Sequence, residues 1–395
     1  MTGQVAENAK QAQLYGEEFN VATQWQLMWW RFRKHKPAVA SGIILALFYL
    51  LFPFAEFLGM GDPARISESY HYLGPRPIRF FDEGSFRLHV NGLGTFPGHG
   101  YKRIYKVLED EKIDVGFFTK GFRYKFLGFI ETDRHLFGFS DPDPETYDYR
   151  PSPFILGSDD VGRDSWSRLM LSNRASLSIG LLAVAISLVV GVVVGGISGY
   201  CGGWVDSLVR CIIEFKTKIP ALPLWMILAA AVPQHWTTLQ VSLAIAVILS
   251  ILGWTGIART VRDKLLSLRE EDYVWAARVT GASKSRIVFR HMLPGLYSHA
   301  IAQVSLAIPG MIIGETSLSF LGLGLRPPAM SYGVMLIQVQ NPTVATIYPW
   351  LMFVVIPVII VILTFNFLAD GLRDAADPYG HGMRDADVTT SKDGY

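Results

Sequence analysis

The chain has 395 residues, of which 50% are hydrophobic and 18% are charged. Soluble globular proteins carry about 25% charged residues, so the composition favours a membrane protein in which apolar stretches alternate with polar ones. The formal net charge of only +2 argues against a general attraction to nucleic acid, and the two cysteines lie in no spacing typical of a disulfide framework or a zinc site.

After a polar N-terminal segment at 1–37, six stretches are predicted to span a membrane, because crossing the hydrocarbon core takes about 20 mainly apolar residues. Five of them are apolar over most of that length. The third in chain order, 219–232, reaches spanning length only by including 208–218, whose lysine side chains can extend to the interface. The other five are 38–58, 177–200, 239–258, 292–314 and 347–369.

Basic residues give the predicted orientation, because lysine and arginine near helix ends concentrate on the cytoplasmic side. A dense basic cluster at 31–36 precedes the first span, and the 259–291 loop between the fourth and fifth spans is rich in arginine and lysine. Six spans place both segments on the same side. We therefore expect cytoplasmic N- and C-termini, including the 380–395 tail, and an extracytoplasmic segment between the first and second spans.

That extracytoplasmic segment, 59–155, is polar with scattered aromatic residues. Alternating stretches at 85–90 and 122–126 predict strands. Proline-rich stretches at 141–144 and 151–153 are typical of a linker. We therefore expect a small β-rich insertion whose folded part covers 62–141.

The 259–291 loop holds the most informative motif. Its residues predict a short helix, a glycine suited to a turn with positive φ, a second short helix and a proline where the chain re-enters the membrane. Two adjacent alanines beside the turn leave room for another protein to approach. From the residues alone, a basic amphipathic segment on the lipid surface is the competing interpretation. The motif residues are Tyr273, Trp275, Ala276, Ala277, Gly281, His291, Leu293 and Pro294.

This motif resembles the EAA loop of ABC importer permeases, which has Glu-Ala-Ala, a glycine and a closing hydrophobic-Leu-Pro. Ala276, Ala277 and Gly281 match that pattern, as does the His-x-Leu-Pro ending at 291–294. Trp275 stands where the family has glutamate. In that family the loop forms coupling helices that dock into clefts of ATPase subunits, so the resemblance implies a docking surface of small residues without the carboxylate.

Three further segments resemble one branch of these permeases, the transporters of dipeptides, oligopeptides and nickel. Residues 156–168 (LGSDDVGRDSWSR) precede the second span, 317–324 (SLSFLGLG) follow the fifth, and 370–378 (DGLRDAADP) follow the sixth. With the loop motif, they cover roughly 157–379. The closing segment resembles that of the second of the two paired permeases.

The resemblance implies an all-α polytopic protein of the bacterial inner membrane, with six transmembrane helices and the type I ABC importer permease fold. The permease core is expected at 156–379, with spans two to six and the 259–291 coupling loop. It follows the first span at 38–58 and the 59–155 insertion, which would lie at the mouth of the permease.

By the same resemblance, the chain forms half of a translocation path for peptides or a similar small solute. Dipeptides, oligopeptides, nickel, glycosides and opine-like compounds all remain open as substrates. The expected partners are a homologous second permease, two ABC ATPase subunits and an extracytoplasmic solute-binding protein. The sequence has no Gly-x4-Gly-Lys-Ser/Thr motif, so we expect ATP and magnesium on the ATPase partners, and no cofactor, catalytic residue or metal site in this chain.

Glu315 stands out because it interrupts the fifth apolar run, where an ionisable side chain is costly unless it faces protein or water. Two interpretations stay open: a group that lines the translocation path or its gate, and a structural hydrogen-bonding partner of a neighbouring helix. An ion-coupled secondary transporter is the alternative function, since Pro220 and Pro223 interrupt the third span. That class should show paired intramembrane ionisable residues and an internal repeat, and the sequence offers Glu315 alone and no repeat.

Overall fold

The computed structural model describes residues 24–82, 85–97, 103–140, 152–283, 286–292 and 296–376, and within them the chain is mainly helical. Short 3-10 turns join several helices, and a π-helical turn covers Ile287–Met292. The helices are α1 (Gln24–Lys34), α2 (Lys36–Leu50), α3 (Ala55–Leu58), α4 (Ser165–Cys201), α5 (Gly203–Thr217), α6 (Ala221–Ala230), α7 (Thr238–Leu268), α8 (Asp272–Val279), α9 (Tyr297–Phe320), α10 (Tyr332–Leu336), α11 (Pro342–Ile347) and α12 (Val355–Ala376).

Five segments of the described residues are long and apolar enough to cross a membrane, and each overlaps a predicted span. Two of them are much longer than predicted, because α4 begins with polar residues and α7 ends with them. The Asp164 side chain caps α4 by accepting a hydrogen bond from the backbone N–H of Ser167 at 2.8 Å. The five segments are Lys36–Leu58, Ser165–Cys201, Thr238–Leu268, His299–Phe320 and Pro349–Ala375.

Helix α4 packs along α7 through a row of glycines spaced four residues apart, Gly191, Gly195 and Gly199. A methyl group at Gly199 would lie 2.8 Å from Leu265 Cβ, and one at Gly195 would overlap the carbonyl oxygen of Ala258. Small residues at this spacing let helix backbones approach closely in a membrane. Because later residues of α4 face later residues of α7, the two helices run parallel.

The predicted third span, 208–232, is not one helix, so the expectation of a continuous helix there is wrong. Helix α5 ends at Thr217, and the ten residues of α6 cover only about 15 Å, half of the hydrocarbon core. Pro220 causes the division because it lacks a backbone N–H and disfavours helical backbone at the preceding residue. Since α4 and α7 run parallel, the chain between them must return across the bundle, and α5 and α6 make that crossing as two helices.

The apolar core lies between α4, α7, α9 and α12. Close contacts fill it: a methyl group at Gly180 of α4 would lie 2.7 Å from the Ile312 side chain of α9. The helices surround one continuous cluster of buried side chains, which includes Leu177, Ala183, Leu249, Ile312, Leu318, Val361 and Phe365.

The predicted β-rich insertion is confirmed as an antiparallel sheet with strand order β1-β2-β3-β4. Strand β3 pairs with β2 along its first half and with β4 along its second half, so two successive hairpins share this strand. The predicted strands at 85–90 and 122–126 lie in β2 and β3, whereas most of the expected linker, 141–151, lies outside the described residues. The strands are β1 (Arg79–Asp82), β2 (Ser85–Pro97), β3 (Arg103–Phe126) and β4 (Ile130–Phe139).

The end of the first spanning segment nearest the sheet is fastened to the start of α4. Arg174 forms a two-pronged ion pair with Glu56, at 2.8 and 2.6 Å. The Trp166 indole N–H donates to the Leu58 carbonyl oxygen at 2.8 Å. This contact lies at the end of the bundle next to the sheet, which we call the sheet side. The opposite end, where α4 and α7 end, is the loop side.

The glycine row should be needed for folding at the α4–α7 contact. We expect Gly195→Leu to destabilise the protein by about 1–3 kcal/mol, because the added side chain must push the helices apart. Gly196→Leu is the matched control, since no atom lies within 4 Å of its added Cβ. The measurement is thermal unfolding of purified protein in lipid nanodiscs. Equal transition temperatures for the two variants would contradict the packing described above.

Candidate functional site

The predicted short helix of the 259–291 loop is α8, and it follows α7 closely. Helix α7 continues to Leu268, ten residues past its predicted end, so the first third of the loop is helical. Helix α8 ends at Val279, and the hydroxyl of the capping residue Thr280 lies 3.1 Å from the carbonyl oxygen of Ala276. Gly281 follows with a φ of +77°, the left-handed conformation that glycine adopts without steric cost.

Helix α8 turns an apolar surface away from the rest of the chain. Tyr273 is 45% exposed, Trp275 51% and Val279 85%, and Ala276 is also exposed. We call these four residues the α8 face. The Arg278 guanidinium lies 5.2 Å from the Trp275 ring centroid, within the range of a cation–π contact.

The Tyr273 phenol of the α8 face stays neutral. Partial burial raises the pKa of Tyr273 above its usual range, and the nearby Glu271 carboxylate raises it further. The tyrosine therefore remains a protonated donor at any physiological pH.

The opposite side of α8 packs on the end of α7. Val274 is fully buried in a cluster with Val261 and Leu265 of α7, and Ala277 packs partly against the same cluster. The two alanines of the motif thus differ, since Ala276 faces outward and Ala277 faces inward. Leu293, Pro294 and the side chain of His291 lie outside the described residues, so their predicted roles stay predictions.

An ion pair that the sequence analysis missed lies at the loop side of the bundle. Arg262 of α7 donates from Nη2 to Oδ2 of Asp206 at the start of α5, at 2.7 Å. The Ser198 hydroxyl of α4 donates to the other carboxylate oxygen of Asp206, also at 2.7 Å. The arginines of the 259–291 loop, Arg262 among them, entered the sequence analysis only as markers of orientation. In the structure the Asp206–Arg262 pair joins α5 to α7, and the Ser198 hydroxyl adds α4 to this contact.

Glu315 lies inside the bundle near the sheet side, and its side chain is 0% exposed. The Ser319 hydroxyl, one turn further along α9, donates to Oε1 of Glu315 at 2.8 Å. Among the described residues, Oε2 has no hydrogen-bond partner. This burial within one subunit favours the interpretation of Glu315 as a structural group over that of a path-lining group.

The polar surroundings of Glu315 connect three parts of the chain. The Ser319 hydroxyl also accepts a hydrogen bond from the backbone N–H of Leu325 at 3.0 Å. Tyr332, at the start of α10, donates its backbone N–H to the Ser176 hydroxyl of α4 at 3.1 Å and its phenol to the Asn173 side chain. The 317–324 motif therefore forms the turn that returns the chain from α9 to α10 against α4.

The acidic residues of the 156–168 motif form a buried ionic cluster. Asp159 lies 2.6 Å from Arg163 and 2.6 Å from Arg168, and the Arg168 side chain is only 4% exposed. Asp159 also accepts a hydrogen bond from the backbone N–H of Arg163 at 2.8 Å. Burial, and then the neighbouring Asp159, raise the pKa of the adjacent Asp160. The motif thus folds the chain tightly before α4 begins.

Two family models match the chain. Residues 191–379 match the model described as "Binding-protein-dependent transport system inner membrane component". Residues 23–75 match the model described as "N-terminal TM domain of oligopeptide transport permease C". Together they include the first spanning segment, α8 and Glu315.

Curated relatives carry related descriptions. The dipeptide transport system permease protein DppC of Bacillus subtilis (strain 168) is 37% identical over 226 residues, which cover 56% of this chain and 68% of that protein. The oligopeptide transport system permease protein OppC of the same organism is 35% identical over 224 residues, 56% of this chain and 71% of that protein. DppC of Lactococcus lactis subsp. cremoris (strain MG1363) is 31% identical over 353 residues, 89% of each chain.

Among solved structures, the MetNI methionine ABC transporter in an inward-facing conformation is similar to this chain with a TM-score of 0.43 and 18% identity. The match covers 53% of this chain and 96% of that one. These values are too low to bear on function or conformation.

The two interpretations of Glu315 can be separated by two substitutions. Glu315→Gln keeps a carbonyl oxygen that accepts from Ser319, so we expect nearly normal thermal stability. Glu315→Leu leaves the buried Ser319 hydroxyl without its acceptor and should cost about 1–3 kcal/mol. Unfolding in nanodiscs measures both, and a leucine variant as stable as the native protein would contradict the structural role. Solute uptake by the glutamine variant then tests the carboxylate charge: a large loss at normal stability would favour the path-lining role.

Proposed function

The chain belongs to the family of inner-membrane components of binding-protein-dependent transport systems, and we propose that it forms half of the translocation path of a peptide importer. It is a multi-pass membrane permease with the type I ABC importer permease fold and an inserted antiparallel sheet. The observation that carries the proposal is the combination of the family match with the exposed α8 face, which leaves an apolar surface for a partner.

The proposed orientation places the loop side in the cytoplasm of a bacterial cell and the sheet outside its inner membrane. Both basic segments support this, because they lie at the same end of the bundle. The first spanning segment is fastened at its sheet-side end to the start of α4, so its basic beginning at 31–36 lies on the loop side with the 259–291 loop. Basic residues concentrate on the cytoplasmic side of membrane proteins.

ATP and magnesium are proposed to bind to two separate ATPase subunits, one of which docks on the α8 face. The family is a membrane component of such systems, which supports hydrolysis outside this chain. The exposed Tyr273 and Trp275 are aromatic anchors of the kind that fill a partner's pocket. The remaining proposed partners are a homologous second permease and an extracytoplasmic solute-binding protein.

Peptides are the proposed substrate class because the relatives at 31–37% identity are named dipeptide and oligopeptide permeases. The alternative of an ion-coupled secondary transporter has no support. The partner of Glu315 is a serine hydroxyl, not a second ionisable group. Of the two prolines that suggested a transporter helix, Pro220 divides α5 from α6 and Pro223 lies in the first turn of α6.

The substrate and the energy source can be tested together. Proteoliposomes that hold the complete transporter should take up a labelled dipeptide or oligopeptide only with ATP at the loop side and binding protein at the sheet side. A proton or sodium gradient without ATP should drive no uptake. Ion-driven uptake would contradict the proposal, and ATP-driven uptake of nickel but not of peptide would replace the substrate class.

The role of Gly281 in coupling rests on its backbone, since no atom lies within 4 Å of a Cβ added there. A left-handed backbone costs a residue with a bulky side chain about 1–2 kcal/mol. We expect Gly281→Val to misdirect the chain after α8 and to lower substrate-stimulated ATP hydrolysis, while Gly281→Asn retains it, because asparagine tolerates positive φ. Equal coupling in the two variants would mean that this turn does not set the ATPase contact.

The outward alanine provides the steric test of docking. Ala276→Trp should reduce retention of the ATPase subunits during purification without lowering the thermal stability of the permease. Ala277→Trp is a less specific probe, because that side chain packs partly into the cluster beneath α8. Trp275→Ala should weaken docking if the indole enters the ATPase cleft and should change little if the indole faces lipid.

A further inference from the structure

The hairpin formed by β3 and β4 ends in three exposed apolar side chains. Leu127 is 50% exposed, Phe129 72% and Ile130 49%, and we call these three residues the hairpin tip. Large apolar side chains clustered at a turn need a partner of their own, because turns are usually polar.

The hairpin is attached to the first spanning segment close to the membrane boundary. The rings of Phe126 and Phe54 lie 5.6 Å apart, centroid to centroid. Phe54 follows Lys36 by 18 residues, or about 27 Å along a helix, and the hydrocarbon core is about 30 Å thick. With Lys36 at the loop-side interface, Phe54 therefore lies at the level where aromatic residues border the lipid headgroups.

The direction of the hairpin places its tip on the membrane side of that attachment. Phe118 of β3 contacts Phe57, with ring centroids 6.0 Å apart, whereas Phe126 contacts Phe54. Phe54 is nearer to the hydrocarbon core than Phe57. As β3 runs from Phe118 to Phe126, it therefore approaches the membrane, and Leu127 to Ile130 continue beyond it.

A buried histidine fixes the hairpin in this direction. His135 of β4 is 1% exposed, and its Nδ1 lies 3.0 Å from the carbonyl oxygen of Glu56, between the two phenylalanine contacts. Its Nε2 lies 2.9 Å from the carbonyl oxygen of Phe122 on β3. The hairpin is thus joined through both strands to the end of the first spanning segment.

The backbone of the turn supports a functional origin for its apolar residues. Leu127 has a φ of +54° and Gly128 a φ of +85°. Glycine or asparagine is the usual residue at positive φ, so a leucine there is strained as well as exposed to water. A leucine at a position that is both strained and exposed is accounted for if its side chain leaves water when the protein is in its membrane.

The exposed charges next to the tip suit a lipid surface. Four basic side chains are exposed on the two strands, and the same strands carry two acidic side chains, Glu131 and Asp133. The basic residues are Lys120, Arg123, Lys125 and Arg134. Basic side chains flanking an apolar insertion are typical of segments that lie in the headgroup region.

We propose that the hairpin tip inserts into the headgroup region of the leaflet on the sheet side and anchors the sheet to the lipid surface. The insertion then acts as a rigid extension of the first spanning segment rather than as a free domain. This inference is independent of which solute is transported.

Site-directed fluorescence on the complete chain in lipid vesicles tests the proposal. Cys201 and Cys211 are first replaced by serine, and a bimane label is then placed through Phe129→Cys. Phe86→Cys is the matched control, because Phe86 is equally exposed at 69% and its ring contacts Phe81 of the neighbouring strand.

With the permease alone in the vesicles, the label at 129 should show blue-shifted emission. Doxyl-labelled lipid should quench it severalfold more than the label at 86, and aqueous iodide severalfold less. Equal iodide quenching at the two positions would overturn the proposal. Protection of the label at 129 only after a solute-binding protein is added would also overturn it and would assign the tip to a protein contact. Gel filtration of the labelled variants confirms that both have folded.

Discussion

The close contact between α4 and α7 is the constraint on which the arrangement of the other helices depends. In hydrocarbon there is no hydrophobic driving force between helices, so association depends on how closely their backbones pack. The glycine row of α4 allows that approach where Gly199 faces Leu265. Helix α4 also contacts α5, α9, α10 and the end of the first spanning segment, so its position against α7 sets the position of each of them.

Polar side chains within this apolar frame are paired at both of its ends. On the sheet side, Asp159 binds Arg168 and Glu315 accepts from Ser319, and on the loop side Asp206 binds Arg262. A buried ion pair contributes little net stability compared with apolar packing, but loss of one partner is strongly destabilising. Removal of one partner from either ion pair should therefore cost more than the intact pair contributes.

Local patterns in the sequence predicted the helices and strands well, but they did not predict contacts between residues far apart in the chain. Apolar stretches predicted the five long helices among the six expected spans, alternation predicted the sheet, and the motif around Ala276 predicted α8 with its glycine turn. The division at Pro220 had a visible signal in the sequence, but the apolar length on both sides outweighed it. The pairing of Asp206 with Arg262 depends on how the chain folds back, which no local pattern contains. The inward direction of Ala277 likewise follows from the length of α7, whose polar end looked like loop.

The two faces of α8 suggest how a partner's movement reaches the helices. The α8 face points outward, while Val274, on the opposite side of the same helix, is buried in the same cluster as Leu265 of α7. Leu265 is also the residue that faces Gly199 of α4. If the proposed partner displaces α8, this cluster and the Leu265–Gly199 contact connect the displacement to α7 and α4, because a well-packed interior transmits strain. At the surface, Trp275 with Arg278 over its ring presents an aromatic and a cation where the EAA pattern that this loop resembles has glutamate. A cleft that receives this loop should consequently be apolar with an acidic rim, rather than basic.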